Sequence, residues 1–244
     1  MQTFPWPSGQ AARTPPAALY HPSPAGEDEF GSALRHALMH RPRRIAPVHF
    51  YDEAGSALFE AICRQPEYYV TRVEMGILMT HAEAIAARIG PNADIVEFGA
   101  GSSRKFRLLL EALQAPRRYV PIDVSGAHLQ REALALRLDH PLLEVSPVVA
   151  DFMHPFRLPP LAPPAARRVG LYLGSSFGNF DMDQAQAFLT MAGHALAGGG
   201  LLIGIDLVKD PAVLHAAYND AAGITAAFNR NLLARANREL QTDF

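Results

Sequence analysis

The residues best suited to binding a small ligand lie between positions 94 and 105, which read DIVEFGAGSSRK. A short apolar segment leads to an acid, then to Gly99 and Gly101, and then to polar residues that can begin a helix. Glycine lets a ligand approach the backbone closely and tolerates a turn with positive φ. Position 104 is arginine, so the run lacks the third glycine of the dinucleotide fingerprint G-x-G-x-x-G. A nicotinamide enzyme is therefore a distant alternative.

The acid two residues before the first glycine, Glu97, completes a pattern that resembles the first motif of S-adenosylmethionine-dependent methyltransferases. In such an enzyme, the backbone amides of the loop with Gly99 and Gly101 can meet the methionine carboxylate of the cofactor. Lys105 follows in the first helical turn and would also contact the cofactor. Taken alone, the run favours this motif, but it is also compatible with an ordinary strand-to-helix turn and a solvated Lys105.

Two further acids, Asp123 and Asp151, each follow an apolar segment that predicts a strand. Ligands of open α/β sheets bind beyond the carboxyl ends of the strands. There Asp123 could accept hydrogen bonds from both ribose hydroxyls. At Asp151-Phe152, the carboxylate could accept from the adenine amino group while a backbone N–H donates to a ring nitrogen. Either acid alone could instead be a helix N-cap or a turn residue, but three such strand ends in succession favour S-adenosylmethionine as the cofactor.

These strand ends must be brought together by a sheet. The apolar pattern predicts strands at 94–98, 118–122, 143–149, 168–174 and 200–207, and helices at 103–114, 126–138, 183–197 and 211–238. The alternation of strands with helices predicts an α/β fold, with a parallel sheet that carries helices on both faces.

Three helices are predicted before the first strand, at 29–40, 53–65 and 72–89, and should form a cap against the sheet. In the third helix, one face is predicted to hold Val73, Ile77, Leu78, His81, Ile85 and Ile89. The proline-rich N-terminal residues predict a disordered leader. The predicted organisation is a leader at 1–27, a helical cap that contributes to the substrate site at 28–92, and a Rossmann-like cofactor domain at 93–244.

Composition argues against several classes of partner. The formal net charge of -2 gives no general attraction to a phosphate backbone, so nucleic acid is not expected. No apolar run approaches the roughly 20 residues that span a bilayer, and the N-terminus lacks the pattern of a signal peptide. The single cysteine, Cys63, predicts a partly buried thiol, and the histidines show no metal-ligand spacing. We therefore expect a cytoplasmic monomer with no metal, nucleic acid or membrane partner.

Several uncommon motifs make a more specific resemblance. They read FYDEAGSALFE at 50–60, QPEYYVTRVE at 65–74, GSSFGNF at 174–180 and FNRN at 228–231. From about residue 29 to its end, the chain closely resembles the histidine-specific Nα-methyltransferases of ergothioneine biosynthesis. The resemblance implies a class I methyltransferase fold and transfer of three methyl groups from S-adenosylmethionine to the α-amine of histidine, which gives hercynine (trimethylhistidine).

The resemblance also assigns roles to residues. The cofactor positions that match are Gly99, Lys105, Asp123, Asp151 and Phe152, with Gly101 in the same loop. Tyr68, Asn179 and Tyr218 match positions that hold the α-amine and carboxylate of the amino acid, and Tyr51 is a further tyrosine near the amine. These groups position the substrate, and the chemistry requires no nucleophile or metal. From the residues alone, Tyr68 is better explained as a core residue, Asn179 could be a turn residue and Tyr218 a helix-face residue.

Two departures from the family bear on the substrate. Val70 stands where the family usually has proline, which should loosen the loop slightly. Family members continue beyond the point at which this chain ends, at Thr242-Asp243-Phe244. On that basis we expect the C-terminal strands to be missing, the strand at 201–207 to be uncovered, and selection for the imidazole ring to be impaired. The alternatives are a methyltransferase for another amino acid or amine, of the tryptophan type, and a non-catalytic cofactor-binding fragment.

Overall fold

The computed structural model of the protein describes residues 19–20, 29–161 and 167–244. The helices are α1 (Glu29–Met39), α2 (Glu53–Ile62), α3 (Tyr69–Ile89), α4 (Arg104–Leu110), α5 (Gly126–Asp139), α6 (Met182–Ala195), α7 (Pro211–Ala217) and α8 (Ile224–Leu240). The strands are β1 (Leu19–Tyr20), β2 (Asp94–Phe98), β3 (Arg118–Asp123), β4 (Glu144–Val145), β5 (Val148–Val149), β6 (Arg168–Tyr172) and β7 (Gly200–Ile203). Short 3₁₀ turns lie at Pro47–Phe50 and Ser176–Asn179.

The strands form one sheet in the order β1-β5-β3-β2-β6-β7, and β4 also pairs with β3. Each of these pairings is parallel. The central strand β2 is buried along its whole length, because neighbouring strands flank it on both sides. The predicted parallel α/β sheet is confirmed, and the carboxyl ends of β2, β3 and β5 lie at one edge of it.

Helices cover both faces of the sheet, as predicted. One apolar core joins α3, α4 and α5 to the sheet through Leu78, Phe106 and Leu136. The opposite core holds Phe188 and Ala192 of α6. Because side chains alternate along a strand, β2 contributes to both cores and fixes the loop that follows it.

Some predicted strands are too long. The predicted strand 143–149 is two short strands, and Pro147 between them has no N–H for the ladder. The predicted strand 168–174 ends at Tyr172, because Gly174 and Ser175 adopt left-handed φ values of 87° and 60°. The predicted strand 200–207 ends at Ile203.

The prediction of one helix at 211–238 is wrong, because α7 and α8 are separate. Asp220 Oδ2 accepts a 2.8 Å hydrogen bond from Ile224 N, and Oδ1 accepts one of 2.7 Å from Thr225 N. Gly223, the N-cap residue of α8, has a φ of 73°. The acid and the left-handed glycine therefore start a new helix and set its direction independently of α7.

The predicted face of the third cap helix is also wrong in part. Leu78 and Ile89 are 3% and 4% exposed, but Val73 and Ile77 are each 52% exposed. His81 is exposed as well. The helix packs against α4, and that contact selects which stripe is buried.

The predicted leader lies almost wholly outside the described residues, and its disorder stays a prediction. Leu19 and Tyr20 are the exception, because they form β1 and pair with Val148 and Val149. Among the described helices, none is long and apolar enough to cross a membrane.

Candidate cofactor and substrate site

The loop after β2 has the backbone geometry that its glycines predicted. Gly99 and Gly101 have φ values of 68° and 47°. Residues that carry a Cβ adopt such positive φ values only at a cost in free energy. A Cβ built on Gly99 would lie 3.8 Å from the Phe152 ring, so this turn adjoins the segment after β5. The turn leaves its backbone accessible at the ligand edge of the sheet.

Asp123 lies directly beside this loop. Its Oδ2 accepts a 3.1 Å hydrogen bond from Gly101 N, and its Oδ1 accepts one of 2.9 Å from Ser125 N. Its carbonyl oxygen accepts a 3.1 Å hydrogen bond from Ala150 N, which ties the end of β3 to the residue before Asp151. The predicted cofactor residues at three strand ends are therefore neighbours.

Asp151 and Phe152 are held in place by local contacts. Asp151 Oδ1 accepts a 2.9 Å hydrogen bond from Met153 N, and Oδ2 lies 3.0 Å from His154 Nδ1. The Phe152 ring packs at centroid distances of 5.7 to 5.8 Å against three aromatic rings, those of Phe98, Tyr172 and Phe188. The backbone at this strand end is therefore well fixed.

Glu29 joins Asp151 and His154 in a group whose ligand atoms lie within 4.8 Å of one another. Sequence spacing gave no sign of this group, because Glu29 is on the distant helix α1. Two acids and a histidine could hold a cation, but Asp151 is also the candidate acceptor for adenine. We assign no metal to this group.

Lys105 forms an ion pair that the sequence analysis did not identify. Its Nζ lies 2.5 Å from Glu74 Oε2 on α3, and the two side chains are 19% and 12% exposed. The two oxygens of Glu74 also accept hydrogen bonds of 2.8 and 2.9 Å from Gly174 N. Glu74 thus joins α3 to α4, which follows the glycine loop, and to the segment after β6.

Glu97, the acid before the glycines, is buried at 3% exposure and does not face solvent. It accepts a short hydrogen bond from the Tyr119 hydroxyl. Burial raises the pKa of Glu97 to about 7, although Tyr119 and Lys105 act in the opposite direction. The Glu97 carboxyl group therefore has a structural role near the end of β2 and is not an exposed ligand contact.

Three tyrosines converge from separate parts of the chain. The rings of Tyr68 and Tyr218 meet edge to face at 5.8 Å. Phe59 packs against Tyr51 at 5.5 Å and against Tyr68 at 6.2 Å, and Phe228 packs against Tyr51 at 5.5 Å. Tyr68 is 5% exposed and Tyr218 is 55% exposed, so the cluster runs from the core to the surface.

Burial raises the pKa of all three tyrosine hydroxyls. For Tyr51, Cys63 and then Asp123 act in the same direction, since a negative charge nearby disfavours the phenolate. The hydroxyls therefore stay protonated at neutral pH and can both donate and accept hydrogen bonds.

Asn179 is the last residue of the 3₁₀ turn Ser176–Asn179, and it is exposed to solvent. Within the described part of the chain, its side chain makes no hydrogen bond, either to the three tyrosines or to other residues. The structure thus brings the tyrosines together but leaves Asn179 at the start of an open surface.

Asp206 also lies close to this site. Its carboxylate accepts short hydrogen bonds from the Tyr69 hydroxyl and from Lys209 Nζ, and its backbone N–H donates to Ser175 Oγ at 2.8 Å. Sequence reasoning missed Asp206, although an acid just after a strand was the signal used for Asp123 and Asp151. It also missed Glu74, which stands four residues from both Val70 and Leu78 and so interrupts their buried stripe.

Comparisons with known proteins identify the family. A family model described as histidine-specific, SAM-dependent methyltransferase matches residues 30–244. The chain is 43% identical over 216 residues to histidine N-alpha-methyltransferase of Mycolicibacterium smegmatis, covering 86% of this chain and 66% of the relative. It is 42% identical over 227 residues to the protein of the same name from Mycobacterium tuberculosis, covering 90% of this chain and 70% of the relative.

A third relative is more distant. Ergothioneine biosynthesis protein 1 of Neurospora crassa is 36% identical over 207 residues, which are 80% of this chain and 23% of that protein. The chain spans about two thirds of the length of the two bacterial relatives, at 66% and 70%.

Proposed function

Because this chain belongs to the histidine-specific, S-adenosylmethionine-dependent methyltransferase family, we propose that it methylates the α-amine of L-histidine. The product would be trimethylhistidine (hercynine), an intermediate for ergothioneine biosynthesis. The observation that carries the proposal is the convergence of Tyr51, Tyr68 and Tyr218 in one aromatic cluster with Phe59. The cap at 28–92 would supply the first two tyrosines, and the Rossmann-like domain at 93–244 would supply the remaining groups.

The residues at the strand ends fit S-adenosylmethionine. Gly99 and Gly101 leave the backbone open to a close approach. Lys105 offers a cation for the methionine carboxylate, while Asp123 and Asp151 offer acceptors for ribose and adenine. When bound, the cofactor supplies an electrophilic methyl group on a sulfonium sulfur.

The tyrosines would orient the amino acid and control its proton. An α-amine must be neutral to attack, so the ammonium first loses a proton to solvent, and the partly buried position beside Tyr68 disfavours the ammonium form. Because their pKa is raised, the hydroxyls of Tyr51 and Tyr68 bring no negative charge that would stabilise the ammonium. Their oxygens can accept hydrogen bonds from the amine N–H groups, and Asn179 can hold the carboxylate. Such positioning supplies much of the rate of a transfer reaction.

Aromatic faces also suit a product with a permanent positive charge. Phe59 and Phe228 pack behind Tyr51, so the amine region is lined by rings that attract a quaternary ammonium. Repeated methylation removes N–H donors step by step, and neutral hydroxyls and ring faces remain compatible with each stage.

The test is calorimetric titration of L-histidine into the chain saturated with S-adenosylhomocysteine. We expect saturable heat in the wild type and affinity at least ~5-fold weaker in Tyr68→Phe, which removes the hydroxyl proposed to bind the amine and keeps the ring. Thr190→Val is the control, because Thr190 is an exposed residue of α6 whose hydroxyl, among the described residues, bonds only the Gln186 carbonyl oxygen.

Other outcomes have defined meanings. Heat with tryptophan but not with histidine would assign another amino acid as the substrate. Binding of S-adenosylhomocysteine without either amino acid would support a cofactor-binding fragment and contradict the proposal. Mass spectrometry of histidine incubated with the enzyme and S-adenosylmethionine then counts the methyl groups transferred.

A further inference from the structure

The Glu74 carboxylate contacts both the candidate cofactor residue Lys105 and the segment that leads to Asn179. Its Oε2 lies 2.5 Å from Lys105 Nζ, in the helix that follows the glycine loop. Both of its oxygens accept the N–H of Gly174, at 2.8 and 2.9 Å. Gly174 begins the segment 174–180, which carries Asn179. A single side chain thus joins Lys105 to the start of the segment that carries Asn179.

The surrounding backbone is shaped around this carboxylate. A Cβ on Gly204 would lie 1.8 Å from Glu74 Oε1, and a Cβ on Gly174 would lie 3.2 Å from Lys105 Nζ. Gly174 and Ser175 both have left-handed backbone, with φ of 87° and 60°. The first N–H of this unusual turn is the group that Glu74 binds, so Glu74 fixes where the segment 174–180 starts.

The charges make the link sensitive to the cofactor. An ammonium has three donors, so Lys105 can contact Glu74 and a ligand carboxylate together. A ligand carboxylate bound near Lys105 would compete with Glu74 for the lysine ammonium. This competition would be felt by Glu74 because water screens the ion pair only weakly. The Gly174 N–H and Lys105 Nζ both contact Oε2 of Glu74. A movement of this oxygen toward one of them therefore alters its distance to the other.

We propose that Glu74 is a positioning residue that couples occupancy of the cofactor site to the geometry of the segment 174–180. Cofactor bound at Lys105 holds the lysine and Glu74 in one arrangement, and Glu74 then holds Gly174 and, through the turn, Asn179. The inference rests on the proposed function in that it takes Lys105 as a cofactor contact and Asn179 as an amino-acid contact.

The primary test is hydrogen–deuterium exchange of the segment 173–180 with and without S-adenosylhomocysteine. We expect the ligand to slow exchange in this segment in the wild type, and the ligand-dependent change to be mostly lost in Glu74→Gln. Glutamine keeps an acceptor for Gly174 N but has no charge for Lys105. Glu83→Gln is the matched control, since Glu83 is an exposed acid on the same helix, and it should behave as the wild type.

Two results would overturn the inference: no ligand-dependent change in the wild type, or an undiminished change in Glu74→Gln. If Glu74→Gln is unfolded at the assay temperature, Lys105→Met at saturating S-adenosylhomocysteine cuts the same link from the other side. The ligand-dependent change should again be lost, and its persistence would contradict the coupling.

A second measurement addresses the amino acid. The affinity for L-histidine should be at least ~5-fold higher with S-adenosylhomocysteine than without it, and this ratio should fall toward one in Glu74→Gln. Absence of any histidine binding in the wild type would reject the proposed substrate, while the exchange experiment would still decide the role of Glu74. Histidine binding with an unchanged ratio in Glu74→Gln would reject the coupling alone.

Discussion

The backbone N–H of Gly101 donates a 3.1 Å hydrogen bond to Asp123 Oδ2. This contact joins the loop after β2 to the end of β3, and it uses the carboxylate that the sequence assigned to the ribose. Because Oδ1 accepts from Ser125 N as well, Asp123 is already oriented by the protein. A ligand therefore meets a prearranged acceptor and pays less ordering entropy on binding.

Replacement of Asp123 by asparagine should weaken cofactor binding and leave the sheet intact. Asparagine keeps the size but loses the charge and one of the two acceptor oxygens, so the backbone bond from either Gly101 or Ser125 is also lost. We expect the Kd for S-adenosylhomocysteine to rise roughly 10- to 100-fold, since hydrogen bonds to a charged group contribute about 1.5–3 kcal/mol. Calorimetry on Asp123→Asn and on the exposed control Asp183→Asn checks this. Equal affinities in the two variants would remove Asp123 from the cofactor site.

The buried Glu97 should make stability depend on pH in a defined direction. Burial raises the pKa of Glu97 from 4.5 to about 7 in the folded protein. Between these values the folded state binds more protons than the unfolded state, so this group lowers stability as pH rises through the window. Glu97→Gln cannot ionise, so it should gain stability relative to the wild type by up to about 3 kcal/mol from pH 4 to pH 8.

Urea denaturation at several pH values measures this difference. Glu111→Gln, at the exposed C-cap residue of α4, should give a curve parallel to the wild type. A Glu97→Gln curve that is also parallel to the wild type would show that the Glu97 carboxyl titrates alike in both states.

Two helical glycines should respond in opposite ways to alanine. Gly76 lies inside α3, and a Cβ there meets nothing within 4 Å. Gly76→Ala should therefore stabilise the protein by about 0.5–1 kcal/mol through helix propensity. A Cβ on Gly55 would lie 1.8 Å from the Phe50 carbonyl oxygen, so Gly55→Ala should destabilise it by at least ~1 kcal/mol.

Thermal and urea unfolding of the two variants provide the check. Each serves as the control for the other, since the chemical change is the same. Destabilisation by Gly76→Ala, or tolerance of Gly55→Ala, would contradict the helix positions and the close contact between Gly55 and the turn at Pro47–Phe50.

Local pattern was enough to predict the elements that are buried on both sides or bounded by clear signals. Strand β2 was predicted at its observed limits, because a short apolar run ending in a glycine turn leaves few alternatives. The helix predicted at 211–238 failed because the whole stretch is rich in helix-forming residues. Only the turn at Asp220 and Gly223, which competes with helix continuation, decides where α7 ends and α8 begins.

The sequence by itself determined the parallel α/β sheet, the glycine turn after β2, and the acids at three strand ends. These features follow from apolar periodicity and from the conformational freedom of glycine, which act within a few residues. The tertiary structure alone decided that Glu74 meets Lys105 and Gly174, and that Tyr69 meets Asp206. Such contacts join distant segments, and they depend on which helix face packs inward. Periodicity did not determine that face for α3, where packing against α4 buried a different stripe.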